Sequence, residues 1–307
     1  MKYRTDLALE CKEMYEAENN GVNSQVNVGA EIDKKVIPGT EIHEEKYDDD
    51  IKVSRIEIVD ERGEAIFQKP RGNYITLEID GIIDGKEGIK ERASRALAKE
   101  LARLIKFHYH LKVLVVGLGN DKVTPDALGP YTVSKVKITR HLFIIYEEDG
   151  DYEMGNVSGF IPGVTGSTGM ETADLIKQAV DMVNPEVVVV VDSLAARNIS
   201  RVNTTIQIND TGINPGSGMG NVRRELNEET LGKRVIAIGV PTVIDAGTLV
   251  IDALSGFKHK DGEIDDYLSK NRQELVVTST DIDMVIKDFS DIIANGINIT
   301  LHPGIYS

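Results

Sequence analysis

Five consecutive valines, Val187 to Val191, constrain the fold of this chain more than any other segment. β-branched residues favour strands, and an unbroken apolar run needs cover on both faces, as in the central parallel strands of an α/β sheet. Two more apolar runs, at 111–117 and 235–240, share this character. Amphipathic helical patterns lie before, between and after the three runs, at 86–106, 168–183 and 280–294 respectively. The sequence therefore predicts the α/β class, with a mostly parallel central sheet between two helical layers.

The first third of the chain has a different pattern. A short helix is predicted at 5–18, and two alternating segments within 51–80 predict a small antiparallel β excursion. The acidic run at 43–50 and the polar segment 255–274 are both typical of loops. Because no internal repeat interrupts this order, we expect a single α/β domain.

Composition narrows the function. The formal net charge is −15, which would repel phosphates over most of the surface and argues against direct nucleic-acid binding. No apolar stretch approaches the roughly 20 residues of a membrane helix, and the polar first residues do not form a signal peptide. The single cysteine, Cys11, excludes a disulfide within the chain and fits a reducing cytoplasm.

Two acidic residues follow two of the apolar runs. Asp126 lies in the loop after the first run, and Asp192 directly follows the valine run. Ligands of open α/β sheets gather outside the carboxyl ends of the strands, so we expect both carboxylates to face one crevice. Taken singly, Asp126 is more typical of a helix cap, and Asp192 is more typical of a strand-end group that binds backbone N–H groups. Together they can supply a general base and a general acid.

Glycine-rich loops surround this expected crevice. They present backbone N–H groups to a substrate, or they are plain surface loops. A third acid near a strand end, Asp245, is a reserve candidate. No dinucleotide fingerprint, phosphate-binding loop, zinc-protease helix motif or serine nucleophile elbow is present. The candidate loop residues are Gly119, Asn120, Gly163, Gly166, Gly216, Ser217 and Gly218.

Several motifs along nearly the whole chain resemble the spore germination protease family of endospore-forming bacteria. The resemblance implies an α/β/α three-layer sandwich similar to the hydrogenase-maturation peptidases, a homotetramer in the cytoplasm of the spore core, and no cofactor. It also implies an endopeptidase that degrades small acid-soluble spore proteins with acids at Asp126 and Asp192. The motifs are RTDLA at 4–8, VVGLGN at 115–120, VTPDALGP at 123–130, TRHLF at 139–143, AAR at 195–197, NPGSG at 214–218 and IGVPTVIDA at 238–246.

The family is made as a zymogen that removes its own N-terminus, and its substrates are cut after an acidic residue in sequences of the Thr-Glu-(Phe/Ile)-Ala type. The segment Thr5-Asp6-Leu7-Ala8 is similar to such a sequence. The resemblance therefore implies a cut between Asp6 and Leu7, a short propeptide at 1–6 and a peptidase domain at 7–307. Alternatively, Thr5 or Asp6 only caps the first helix.

Two alternatives to an aspartate pair remain open at the level of sequence. The related maturation peptidases hold a metal with two acids and a histidine, and no histidine of this chain can be assigned to that place, so we expect no metal. A metallopeptidase that uses the same aspartates is the first alternative. The second is a protein without catalysis that binds a peptide or an anion in the crevice.

Overall fold

A computed structural model describes residues 5–22, 37–146, 154–217, 223–254 and 275–306. Within these ranges, nine strands form one mixed sheet in the order β1-β2-β3-β7-β8-β6-β4-β5, and β9 pairs with β8. The strands β8, β6, β4 and β5 are parallel, whereas β1, β2, β3 and β7 pair antiparallel with their neighbours. Strands β1 to β9 are Thr40–Lys46, Ile51–Ile58, Gly72–Ile79, Lys112–Gly117, Asn156–Phe160, Val187–Ala196, Thr205–Asn209, Arg234–Asp245 and Val276–Val277.

Helices cover both faces of this sheet, which confirms the predicted class and layers. Helices α3, α4 and α10 share one large core with the odd-numbered valines of β6, while α7 and α8 pack on the opposite face. Helix α1 covers β2 and β3 in a separate cluster. Helices α1 to α10 are Ala8–Val22, Glu61–Phe67, Ile89–Leu104, Leu128–Lys135, Arg140–Tyr146, Thr165–Thr168, Thr172–Val183, Glu228–Leu231, Ala246–Leu254 and Ile282–Leu301.

The valine strand β6 is longer than its apolar run. The prediction that Asp192 follows the end of its strand is wrong, because β6 continues to Ala196, paired with β8 along its whole length. The parallel strands β4 and β5 both stop at this level, where the N–H of Leu118 donates to the carbonyl of Val191 at 2.9 Å. Asp192 therefore lies where the parallel part of the sheet narrows from four strands to two, and this narrowing opens a crevice.

Three other expectations are corrected. The acidic run that was expected to be a loop begins with strand β1, whose side chains are mostly exposed because it forms an edge of the sheet. The last helix runs past residue 294 to Leu301, since Gly296 lets it approach Leu97 closely and Asn298 accepts a hydrogen bond from the N–H of Lys137 at 2.8 Å. Thr280 and Asp283 have the spacing of a capping box in the sequence, yet the N-cap of this helix is Asp281, and it makes no side-chain cap hydrogen bond.

Some expectations fall on segments outside the described residues, namely the loop at 255–274 and most of the propeptide at 1–6. Among the described helices, none is both long and apolar enough to cross a membrane.

Candidate functional site

A cavity of about 610 Å³ opens at the carboxyl ends of the parallel strands. Asp126 and Asp192 both line it, as the fold predicts. The side chain of Asp6, from the N-terminal segment, reaches the same cavity. The cavity is therefore lined by four acidic residues: two from the sheet region, Asp6 from the segment that precedes α1, and Glu171 at the start of α7.

Asp126 is held by a tight loop between β4 and α4. Its backbone ends a short 3-10 turn, Thr124–Asp126, and its carbonyl accepts a hydrogen bond from the N–H of Asn120 at 3.0 Å. Gly119 has a φ of +106°, and a Cβ at this position would lie 1.9 Å from the Asp126 carbonyl oxygen. Only glycine fits here, so Gly119 allows the close backbone approach that positions Asp126. Asp126 does not cap α4, whose N-cap is Ala127 without a side-chain bond.

Asp192 projects from β6 on the face covered by α7. Only 6% of the residue is exposed, and its Oδ1 accepts one hydrogen bond from the N–H of Ser193, at 2.8 Å. A buried carboxylate needs a cationic partner, several donors or a proton. Within the described residues, neither Asp192 nor Asp126 forms an ion pair with a basic side chain.

Burial therefore dominates the ionisation of both acids. It raises the pKa of Asp126 to about 6, against a smaller lowering by the N–H of Asn120. Burial raises the pKa of Asp192 well above its ordinary range, and the charges of Asp126 and Asp6 raise it further, while the Ser193 N–H lowers it. Two neighbouring acids with unequal pKa values can hold one proton between them at neutral pH.

The predicted loop residues divide into groups. Gly119, Gly163, Gly166 and Gly216 line the cavity, whereas Asn120 only holds the Asp126 loop. Ser217 lines an adjoining cavity of about 400 Å³, and Gly218 lies outside the described residues.

The reserve acid Asp245 is not beside the pair. It ends β8, and its Oδ1 accepts hydrogen bonds from the N–H and hydroxyl of Thr248, at 2.8 and 3.0 Å, in the first turn of α9. This geometry is that of a helix cap.

The segment that carries the predicted cut is ordered against the sheet. Thr5 accepts a hydrogen bond from the N–H of Leu7 at 3.0 Å and donates one to the carboxylate of Glu10. Asp6 does not cap α1, because its carboxylate is bound by Ala195 and Ser217. Leu7 is fully buried against Leu194 and Ala196.

Sequence reasoning missed the partners of Asp6 on the sheet and on the α2–β3 loop. Lys69 and Gln207 both donate to its backbone carbonyl. Neither residue lies in a motif, and 138 positions separate the two, so only the three-dimensional arrangement reveals them.

A metal site needs a third ligand beside the two aspartates. No group of three histidine, cysteine, aspartate or glutamate side chains in the described part of the chain is placed to hold a metal ion. The metal of the maturation peptidases, with two acids and a histidine, therefore does not fit the donor set described at this crevice.

Comparison with known proteins finds a family whose model matches most of the chain. The family model described as germination protease matches residues 8–266. The chain is 42% identical to the germination protease of Clostridium tetani, covering 99% of this chain and 97% of that protein. It is 41% identical to that of Caldanaerobacter subterraneus subsp. tengcongensis (98% and 95%) and 38% identical to that of Bacillus pumilus (97% and 93%).

Proposed function

The chain belongs to the germination protease family, and we propose that it cuts small acid-soluble spore proteins with water activated by Asp126 and Asp192. Family membership makes it an endopeptidase of spore germination. One observation supports the two aspartates: buried Asp192 and half-buried Asp126 line a single cavity, both have raised pKa values, and neither forms an ion pair with a basic side chain of the described residues. Structural acids in protein interiors are normally paired.

The unequal pKa values suggest a role for each acid. Burial raises the pKa of Asp126 to about 6 and that of Asp192 well above its ordinary range, so Asp126 is assigned the role of base and Asp192 that of acid. Asp126 then takes a proton from water as the oxygen of that water attacks the scissile carbonyl carbon. Asp192 delivers its proton to the leaving amine when the C–N bond breaks. The net reaction adds one water across the peptide bond, and proton exchange with solvent restores the pair.

The same site is proposed to process its own chain between Asp6 and Leu7. Support comes from the position of Asp6, which lines the cavity of the aspartate pair. Residues 1–6 would form the propeptide and residues 7–307 a single peptidase domain. A homotetramer and a location in the spore core are proposed on family membership alone.

Substitution of each acid by its amide tests the proposal. We expect Asp126→Asn and Asp192→Asn each to lower self-processing and cleavage of a Thr-Glu-Ile-Ala peptide at least about 10³-fold, because base or acid is lost. Rates come from mass spectrometry of timed samples, and folding from circular dichroism. Asp181→Asn, an exposed substitution on α7, is the matched control and should keep normal rates.

Two results would contradict the proposal. Near-normal turnover by either amide variant would remove that aspartate from the chemistry. Loss of activity on treatment with a strong chelator, restored by added metal, would favour the metallopeptidase instead.

A further inference from the structure

Asp6 is held by five hydrogen bonds that fix both its side chain and its backbone. Its Oδ1 accepts from the hydroxyl of Ser217 at 2.8 Å, and its Oδ2 accepts from the N–H of Ala195 at 2.9 Å. Its own N–H donates to the Ala195 carbonyl at 3.0 Å. Its carbonyl oxygen accepts from Lys69 Nζ and Gln207 Nε2, both at 2.9 Å.

These contacts lie next to the aspartate pair. Gln207 is in register with Gly239 of β8, and Gly239 is in register with Asp192 of β6. Residues in register project from the same face of a sheet, so Gln207 and Asp192 flank a position that carries no side chain. Asp6 lines both the cavity of the pair and the adjoining cavity that contains Lys69, Gln207 and Ser217.

We propose that these groups form the subsite for the acidic residue that precedes a cut: Ser217 and the Ala195 N–H bind its carboxylate, and Lys69 and Gln207 polarise its carbonyl. In the uncleaved chain Asp6 occupies the subsite, and after residues 1–6 depart a substrate takes its place. This inference rests on the proposed cut between Asp6 and Leu7.

The carboxylate contacts favour an acid over its amide. Two donors address two different oxygens, and a carboxylate accepts both bonds with the added strength of its charge. An amide has one acceptor oxygen, and its NH₂ group, if it faced the Ala195 N–H, would find no acceptor there. Ser217 can turn its hydroxyl to suit an amide, but the charge-assisted bond is then lost.

The carbonyl contacts suit the chemistry of the cut. As water adds to the scissile carbon, negative charge develops on the carbonyl oxygen, and donors already aimed at that oxygen stabilise the charge. Lys69 brings a cation, and Gln207 is a buried amide on the rigid strand β7. With the cut after Asp6, both donors bind the oxygen on which this charge appears.

A purely structural role predicts a different behaviour. If these residues only hold the N-terminal segment, their loss cannot affect cleavage of a separate peptide once residues 1–6 are gone. The test therefore uses processed protein, with Leu7 as the first residue by N-terminal sequencing. Variants that process slowly are matured with immobilised wild-type protein, which is then filtered away. Two peptides that differ only in Thr-Glu-Ile-Ala or Thr-Gln-Ile-Ala are compared by kcat/KM.

We expect the wild type to prefer the glutamate peptide. Ser217→Ala should reduce that preference about tenfold, because a hydrogen bond to a charged group is lost. Ser217→Thr keeps the hydroxyl and should keep the preference. Lys69→Met should lower kcat on both peptides, about 100-fold, with little change in the preference, as expected for a group that acts on the carbonyl.

The outcomes separate this inference from the function on which it rests. A wild-type protein that leaves both peptides intact would overturn the proposed function and the subsite together. Selective wild-type cleavage, with an unchanged preference in Ser217→Ala and unchanged kcat in Lys69→Met, would overturn the subsite alone. Circular dichroism of each variant confirms that a lost rate is not lost folding.

Discussion

The two halves of the sheet neutralise buried carboxylates in different ways. In the antiparallel half, Arg55 of β2 donates two hydrogen bonds of 2.6 Å to the almost fully buried carboxylate of Glu100 in α3. In the parallel half, Asp126 and Asp192 have no such partner among the described residues, and their pKa values rise. A buried acid must be paired or protonated. The buried carboxylate of the antiparallel half is therefore neutralised by an ion pair, whereas the acids of the parallel half are neutralised by protons, which a reaction can transfer.

The largest effect on stability should come from breaking the pair in the antiparallel half. Arg55→Met leaves Glu100 buried, with only the flanking Arg103 at 3.3 Å. We expect the free energy of unfolding to fall by about 3 kcal/mol, since removal of one partner strands a buried charge. Urea unfolding measures the loss, and peptide cleavage by the folded fraction should stay normal.

The double variant Arg55→Met/Glu100→Met is the matched control. Removing both charges together should recover most of the lost stability, because no charge is left unpaired. A single variant that loses less than about 1 kcal/mol would show that the pair does not distinguish the two halves.

A smaller effect, of opposite sign, should follow in the parallel half. The raised pKa of Asp192 means that the folded state binds a proton that the unfolded state has released, so wild-type stability falls as the pH rises above the ordinary aspartate range. The amide introduced by Asp192→Asn cannot ionise, so this variant does not lose stability in this way as the pH rises. We expect the variant to be more stable than the wild type at pH 7, by about 1 kcal/mol or more.

The pH series contains its own control. Below about pH 3 the aspartate is largely protonated in both folded and unfolded states, so the advantage of the amide should disappear. Unfolding curves at about pH 3 and pH 7 give the comparison. An amide variant less stable than the wild type at pH 7 would mean that Asp192 is ionised and satisfied in the folded protein.

The two halves also differ in how far the sequence predicted them. In the parallel half, the valine run identified β6 and the crevice beside Asp192, because burial on both faces leaves a continuous apolar pattern. The extension of β6 beyond Val191 was missed, since pairing with β8 supports residues whose own pattern is mixed. Strand β7 joins the two halves, pairing antiparallel with β3 and β8.

The partners of Asp6 show more clearly what the sequence could not predict. The motif at residues 5–8 predicted where a cut would fall, but Lys69 and Gln207 converge on the Asp6 carbonyl from an α2–β3 loop and from β7. Such convergence depends on how the antiparallel half docks on the parallel half. No local pattern encodes that docking, so the subsite emerged only from the structure.

The smallest effect should come from an exposed ion pair, which is neither a buried ion pair nor a buried acid without a basic partner. Lys177 and Asp181 of α7 are 2.8 Å apart, with side chains 41% and 54% exposed. Water screens such a pair, and Asp181 lies in the last helical turn, where the helix dipole disfavours an acid. We therefore expect Asp181→Asn to change the free energy of unfolding by less than about 0.5 kcal/mol. A loss above about 1 kcal/mol in urea unfolding would show that exposed charges matter as much as buried ones, and pairing would then no longer explain why the two halves differ.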